Sequence, residues 1–198
     1  MMRLPAIVVC LLLLSAGCAS VSGPTHTPTD ENGATETANT PAHPTTPSPD
    51  RFYVDVERIE KLIHEKMNKH RVENGLEPLT RNESLDAVAR YKSWDMAQRD
   101  YFDHDGPNGT LHSDLRDRYG TTCDEIGQNI YKDKNPKLSS DPQSELMNTE
   151  NISEGAVSLI LNSSGHRQNA LSPNYDSQGI GVFVDENGSV YVTQELCG

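Results

Sequence analysis

No run of apolar residues in this sequence is long enough to cross a bilayer as a helix: the longest, Pro5 to Leu14, has about ten residues where roughly 20 are needed. There is no glycine-rich phosphate loop and no internal repeat, which argues against a nucleotide-binding P-loop and against a solenoid. Basic residues are scarce, 17 against 29 acidic ones, for a formal net charge of −12. Such a surface repels nucleic-acid backbones and anionic lipids, so a nucleic-acid partner is not expected and membrane contact has to come from something other than charge. Cysteine is sparse too, with four in 198 residues and no close Cys/His spacing of the kind that builds a thiolate zinc site.

What is present divides the chain. Arg3 followed by the short apolar run reads as a signal peptide over residues 1–17. Ser15, Ala16 and Gly17 then lead into Cys18, an order that resembles the box at which exported lipoproteins are cut and acylated, although Ser15 stands where a large aliphatic is usual. Residues 18–50 are Thr- and Pro-rich with a single large aliphatic, Val21, too little apolar surface to offset the entropy of ordering the chain, so this stretch is expected to be a disordered tether. A folded domain is expected over 51–198. Cys10 leaves with the signal and Cys18 is the expected lipid site, which leaves Cys123 and Cys197 to pair in an oxidising, extracellular setting.

Within the domain, Val56, Ile59, Leu62, Ile63 and Met67 recur at helical spacing and Asn74-Gly75 supplies a stop. A second helix starts at the cap Asn82, with Tyr91 and Trp94 lying off its apolar stripe. Leu111, Leu115 and Tyr119 suggest a short third helix, and Ser153 to Leu161 a fourth, broken by Asn162 through Gly165. The polar stretch from Lys134 to Asn151 reads as a long surface loop. Strands are expected near Asn129 to Tyr131, over Gly179 to Val184 and over Ser189 to Leu196, the last two joined by an Asn187-Gly188 hairpin turn. Helices first and antiparallel strands later make an α+β domain.

Four segments occur in a telling order: Leu85 to Ala89 leading to Tyr101-Phe102-Asp103-His104; Gly127-Gln128-Asn129; Asn162-Ser163-Ser164-Gly165-His166-Arg167-Gln168-Asn169; and Gly179-Ile180-Gly181-Val182 with Thr193-Gln194. Together they resemble the CAP superfamily of cysteine-rich secretory, antigen 5 and pathogenesis-related proteins, in its prokaryotic form. The resemblance implies a three-layer α-β-α sandwich with a cleft to which His104 and His166 each contribute an imidazole. It also implies that Gln128 stands where the family usually has a glutamate, and that Ser163 falls on or near a fourth cleft position.

Two neutral imidazoles form half a zinc site, and a carboxylate beside them could complete it and activate a water. An amide carries no charge and is no base near neutral pH. The loss of the carboxylate therefore favours an extracellular, lipid-anchored, noncatalytic module presenting a cleft to a ligand, which the resemblance makes a lipid, a cell-surface glycan or a protein. The alternative is a peptidase-like hydrolase using Zn²⁺ or another divalent cation on His104 and His166. Arg167 and Asn169 read as structural, Gln194 as support beneath the cleft, and His64, His70 and His112 as solvated helix residues.

Overall fold

A computed structural model describes residues 52–134 and 136–198; the signal segment, the tether and Cys18 lie outside the described residues. Helix α1 spans Val56–Glu73 and is started by Asp55, whose carboxylate accepts from the Arg58 amide at 3.0 Å. After a two-residue strand β1 (Thr80–Arg81), α2 spans Glu83–Gln98, and the side chain of its cap Asn82 accepts from the amides of Ser84 and Leu85. Helix α3 covers His112–Arg118 and strand β2 Ile126–Asp133. Helices α4 (Glu145–Asn162) and α5 (Ser164–Ala170) follow, then strands β3 (Ser177–Val184) and β4 (Val190–Cys197).

The sheet order is β1-β3-β4-β2, with β1 parallel to β3 and the other neighbours antiparallel. One face carries Ile180, Val182, Val184, Val190 and Val192, which bury against Ile59, Ile63 and Met67 of α1 and Ile152, Ala156 and Ile160 of α4. The other face packs on α2 through a smaller cluster of Met96, Ile130 and Tyr191. The layers are therefore helix, sheet, helix, the α+β sandwich the sequence implies. Helix α2 lies almost on the β3 backbone, because a Cβ on Gly181 would sit 2.0 Å from the Arg90 amide nitrogen. Only glycine permits that approach.

Beyond the two-residue β1, this edge of β3 is closed by carboxylates rather than by a further strand. The Ile180 amide donates to Asp86 at 2.8 Å and the Val182 amide to the buried Glu60 at 3.3 Å, while Arg81 and Arg90 neutralise this pair. The hairpin turn forms as expected, with Gly188 at φ +85°. The carboxylate of Asp185 accepts from the Asn187 and Ser189 amides.

Two expectations need correction. Helix α4 begins at Glu145, so the last part of the expected surface loop is helical; and although α4 ends at Asn162, within the expected break, only Ser163 leaves the helical conformation, and a short further helix, α5, begins at Ser164. The first turns of α4 bury polar side chains: Asn148 bonds the Tyr53 and Ser139 carbonyls and Thr149 accepts the Asp55 amide, so apolar periodicity says nothing there.

Candidate functional site

Strand β2 lies at the sheet edge, and its successive side chains point to opposite faces. Gln128 faces the α2–α3 side, where its Oε1 lies 2.9 Å from His104 Nδ1. Asn129 faces the α4–α5 side, where its Nδ2 donates to the backbone carbonyl of His166 at 3.1 Å. Two neighbouring residues thus hold one histidine segment each, and the segments meet around the edge. The two imidazoles stand edge to face with ring centroids 6.4 Å apart. Ser163, which opens α5, is half-buried, and its hydroxyl does not cap that helix.

Glu195 is a residue the motifs do not include. It is the cross-strand partner of Gln128, fully buried, and its Oε1 accepts from Gln128 Nε2 at 2.6 Å. Its other oxygen is paired with Arg116 of α3, whose guanidinium also donates to the carbonyls of Gly127 and Leu196 at 2.9 Å. Burial pushes the Glu195 carboxyl upward in pKa, and Arg116 and the Gln128 amide oppose that shift. Its strand parity is a usable signal, since it shares the inward face with Tyr191 and Thr193.

This chain fixes a tautomer. Because the Gln128 nitrogen donates to Glu195, its oxygen must accept, so His104 carries a proton on Nδ1, and in the neutral ring Nε2 is then the acceptor. Burial lowers the pKa of His166, and so does the neighbouring His104. The His104 loop is anchored from below by Lys92, which is 3 % exposed and donates to the His104 carbonyl at 2.7 Å and to Tyr101 Oη at 3.1 Å.

The chemistry available is hydrogen bonding by two imidazoles and an oriented amide. For zinc, the donors fall short, since no group of three or more His, Cys, Asp or Glu among the described residues is placed to hold a metal. Ser163 and Ser164 make no hydrogen bond to His166 among the described residues, so no Ser-His pair forms there.

Gln194 lies below the cleft, fully buried, accepting from Asn129 at 2.8 Å. Asn169 bonds the Asn129 side chain at 3.2 Å and the Gln128 carbonyl at 3.4 Å. Arg167 differs from the structural role expected of it: it is exposed and its side chain has no hydrogen-bond partner among the described residues. His64 is also not solvated. It is half-buried against Gln178, with Nδ1 2.9 Å from that amide nitrogen. Cys123 and Cys197 are disulfide-bonded, joining the loop before β2 to the end of β4.

A three-layer sandwich with two histidines meeting at a sheet edge defines a CAP domain, and the family comparison agrees: the cysteine-rich secretory protein family model matches residues 64–196, and the chain belongs to that family. It is 35% identical over 144 residues to the Bacillus subtilis (strain 168) protein YkwD, covering 72% of this chain and 48% of YkwD. The chain thus spans about half the length of that curated relative. Among solved structures, an extracellular protein containing a SCP domain from Bacillus anthracis superposes with a TM-score of 0.59 at 25% identity, over 78% of this chain and 44% of that one. An outer surface protein from Borrelia burgdorferi gives a TM-score of 0.59 at 13% identity, over 73% of this chain and 95% of that one, a likeness of fold alone.

Proposed function

We propose that this CAP domain is an exported, surface-tethered module that presents the His104–His166 cleft to a ligand and performs no catalysis of its own. The observation that carries this reading is the Gln128–Glu195 pair. The carboxylate that could serve as a base is buried one layer below the imidazoles and engaged by Arg116 and Gln128, and the group that faces His104 is an amide. What the cleft offers is an imidazole acceptor, suited to hydroxyl or amide N–H groups on a glycan or protein surface.

The extracellular assignment draws support from the signal-like start, the disulfide and the Bacillus anthracis relative described as extracellular. No helix among the described residues is long and apolar enough to cross a membrane. Anchoring through an acylated Cys18, with residues 18–50 as the tether, completes the proposal.

Three experiments test it. The purified protein is co-sedimented with isolated envelopes of the producing cells, alone and as His104→Ala and His166→Ala; both variants should lose binding, and undiminished binding would refute the cleft. Turnover of peptide and ester libraries with and without zinc should be absent, whereas zinc-dependent hydrolysis lost in both variants would establish the hydrolase alternative. For the anchor, fractionation of cells expressing Cys18→Ala should move the protein from membrane to medium.

A further inference from the structure

The histidine cleft leaves one chemically distinctive surface unused. Tyr91 and Trp94 project from α2 away from its buried stripe, with ring centroids 5.4 Å apart and planes tilted by 49°. Tyr119, just beyond α3, continues the row at 6.4 Å from Tyr91. Between α2 and α3, Tyr91 and Trp94 border a cavity of about 410 Å³, within the range of small-molecule sites. Leu111 and Leu115 add an apolar wall, and Leu111 is 50% exposed.

The polar groups lining this cavity are biased to one sign. Lys92, Arg99 and Arg118 face it against a single carboxylate, Asp95. That carboxylate is already satisfied, because Arg99 grips both its oxygens and Tyr101 Oη donates to it at 2.6 Å. Lys92 is likewise engaged, with the His104 carbonyl and Tyr101, and Asp103 and Asp105 of the adjoining loop also bear on its charge. Arg118 differs: it is exposed and has no ion-pair partner among the described residues. His112 lines the same cavity, and its shielded Nε2 has no hydrogen-bond partner among the described residues. An aromatic wall, a guanidinium with no ion-pair partner and a ring nitrogen with no hydrogen-bond partner among the described residues converge on one space in a protein whose formal net charge is −12.

We propose that this cavity is a second binding site, taking a six-membered ring that bears a carboxylate, with the ring against Tyr91 and Trp94 and the acid group on Arg118. Aromatic faces give a flat ring contact area at low entropic cost, and a guanidinium matches a carboxylate with two parallel hydrogen bonds. A neutral ring would leave Arg118 unused, and a simple anion would leave the aromatic row unused. A uronic-acid residue of an acidic glycan and a small aromatic acid share the required chemistry. The site touches the histidine cleft only through His104 and does not rest on the ligand reading of that cleft.

Trp94 is the sole tryptophan, so its fluorescence reports on this cavity alone. The purified protein is titrated with trigalacturonic acid, with 4-hydroxybenzoate, with the neutral sugar maltotriose and with acetate. A saturable change with at least one of the two ring acids is expected, and which one responds identifies the source of the ring. Arg118→Ala should weaken that binding about tenfold or more, Arg118→Lys should restore part of it, and Arg167→Ala, which removes an exposed arginine of α5, should leave it unchanged. Calorimetry on Trp94→Ala should show a comparable loss. No saturation with either ring acid, equal binding of maltotriose or acetate, or full binding by Arg118→Ala would each overturn the proposal. Loss of envelope binding in His166→Ala, a residue that does not line this cavity, reads the other cleft, so the two ideas fail separately.

Discussion

Gln128 and Glu195 face each other across β2 and β4, and the amide nitrogen of the first donates to the carboxylate of the second at 2.6 Å. The amide at position 128 is therefore complementary to its neighbour, and a glutamate there would set two carboxylates side by side in a buried place. Gln128→Glu is expected to cost about 2–3 kcal/mol near pH 7, from a lost buried hydrogen bond and like-charge repulsion. One of the two carboxyls would then titrate well above its unfolded value. A raised carboxyl stabilises the fold below its unfolded pKa and loses that contribution as pH rises through the folded one, so the deficit should shrink at pH 5. Urea unfolding at pH 5 and 7.5 checks this. Adding Glu195→Gln should recover part of the loss and leave a carboxylate beside His104, and calorimetry should then show tighter zinc binding than in the parent. Tight zinc binding by the parent would show that two imidazoles suffice.

A chain of amides runs through the sheet and has only one direction. The His166 carbonyl can only accept, so Asn129 Nδ2 donates to it and to Gln194 Oε1. Gln194 Nε2 then donates to Gln178 Oε1 at 2.6 Å, and Gln178 Nε2 to His64 Nδ1. Asn68 Nδ2 faces the other ring nitrogen, Nε2, at 3.2 Å, so a protonated His64 would present a donor to an amide nitrogen on both sides. Its pKa is lowered chiefly by burial and further by Arg81, with Asp86 and Glu65 opposing. A lowered histidine stabilises the native state fully above its unfolded value, 6.5, and that contribution fades as pH falls. Thermal unfolding should therefore show stability falling from pH 7.5 to 5.5. His64→Gln, which can still accept from Gln178, should be about 1 kcal/mol less stable at pH 7.5 and fall less steeply. An unchanged slope would remove His64 from the account.

The glycines of β3 give a contrast that packing alone decides. Gly181→Ala would drive a Cβ into the α2 backbone, where neither layer has a flexible side chain to yield. A loss of about 3 kcal/mol or more is expected, seen as a lowered urea midpoint. Gly165, in α5, has nothing within 4 Å of an added Cβ. Gly165→Ala should gain roughly 0.5–1 kcal/mol from helix propensity.

How much of this is legible in the sequence follows from what each part buries. Helices α1 and α2 and the β3–β4 hairpin carry apolar periodicity, caps and an Asn-Gly turn, and their expected limits lie close to the observed ones. The first turns of α4 bury Asn148, Thr149 and Ser153, and α5 buries only Ala170, so neither leaves an apolar trace. Motif order points to His104, Gln128 and His166, and the fold brings the imidazole pair together. Glu195 and Arg116 escape it because they act through strand register, and His64 because its partner Gln178 lies 114 residues away.

The disulfide offers the last test, because it closes the chain just where the cleft is built. Cys123 precedes the strand that carries Gln128 and Asn129, and Cys197 ends the strand that carries Gln194 and Glu195, with a sequence separation of 74. Backbone bonds tie the same corner, from the Asp124 amide to the Gly198 carbonyl at 2.8 Å and from the Gly198 amide to the Glu125 carbonyl at 3.0 Å. For a loop of this length the chain-entropy model assigns the cross-link about 4 kcal/mol. Cys123→Ala with Cys197→Ala should therefore lower the urea midpoint by an amount approaching that figure. The backbone bonds and the Arg116–Glu195 pair should keep the corner in register below the transition. Hydrogen exchange of the Gln128 and Asn129 amides, measured under native conditions, separates the two contributions. Protection reduced only in step with global stability means the disulfide acts on the unfolded chain, whereas a selective loss at these amides would mean it also holds the cleft in shape.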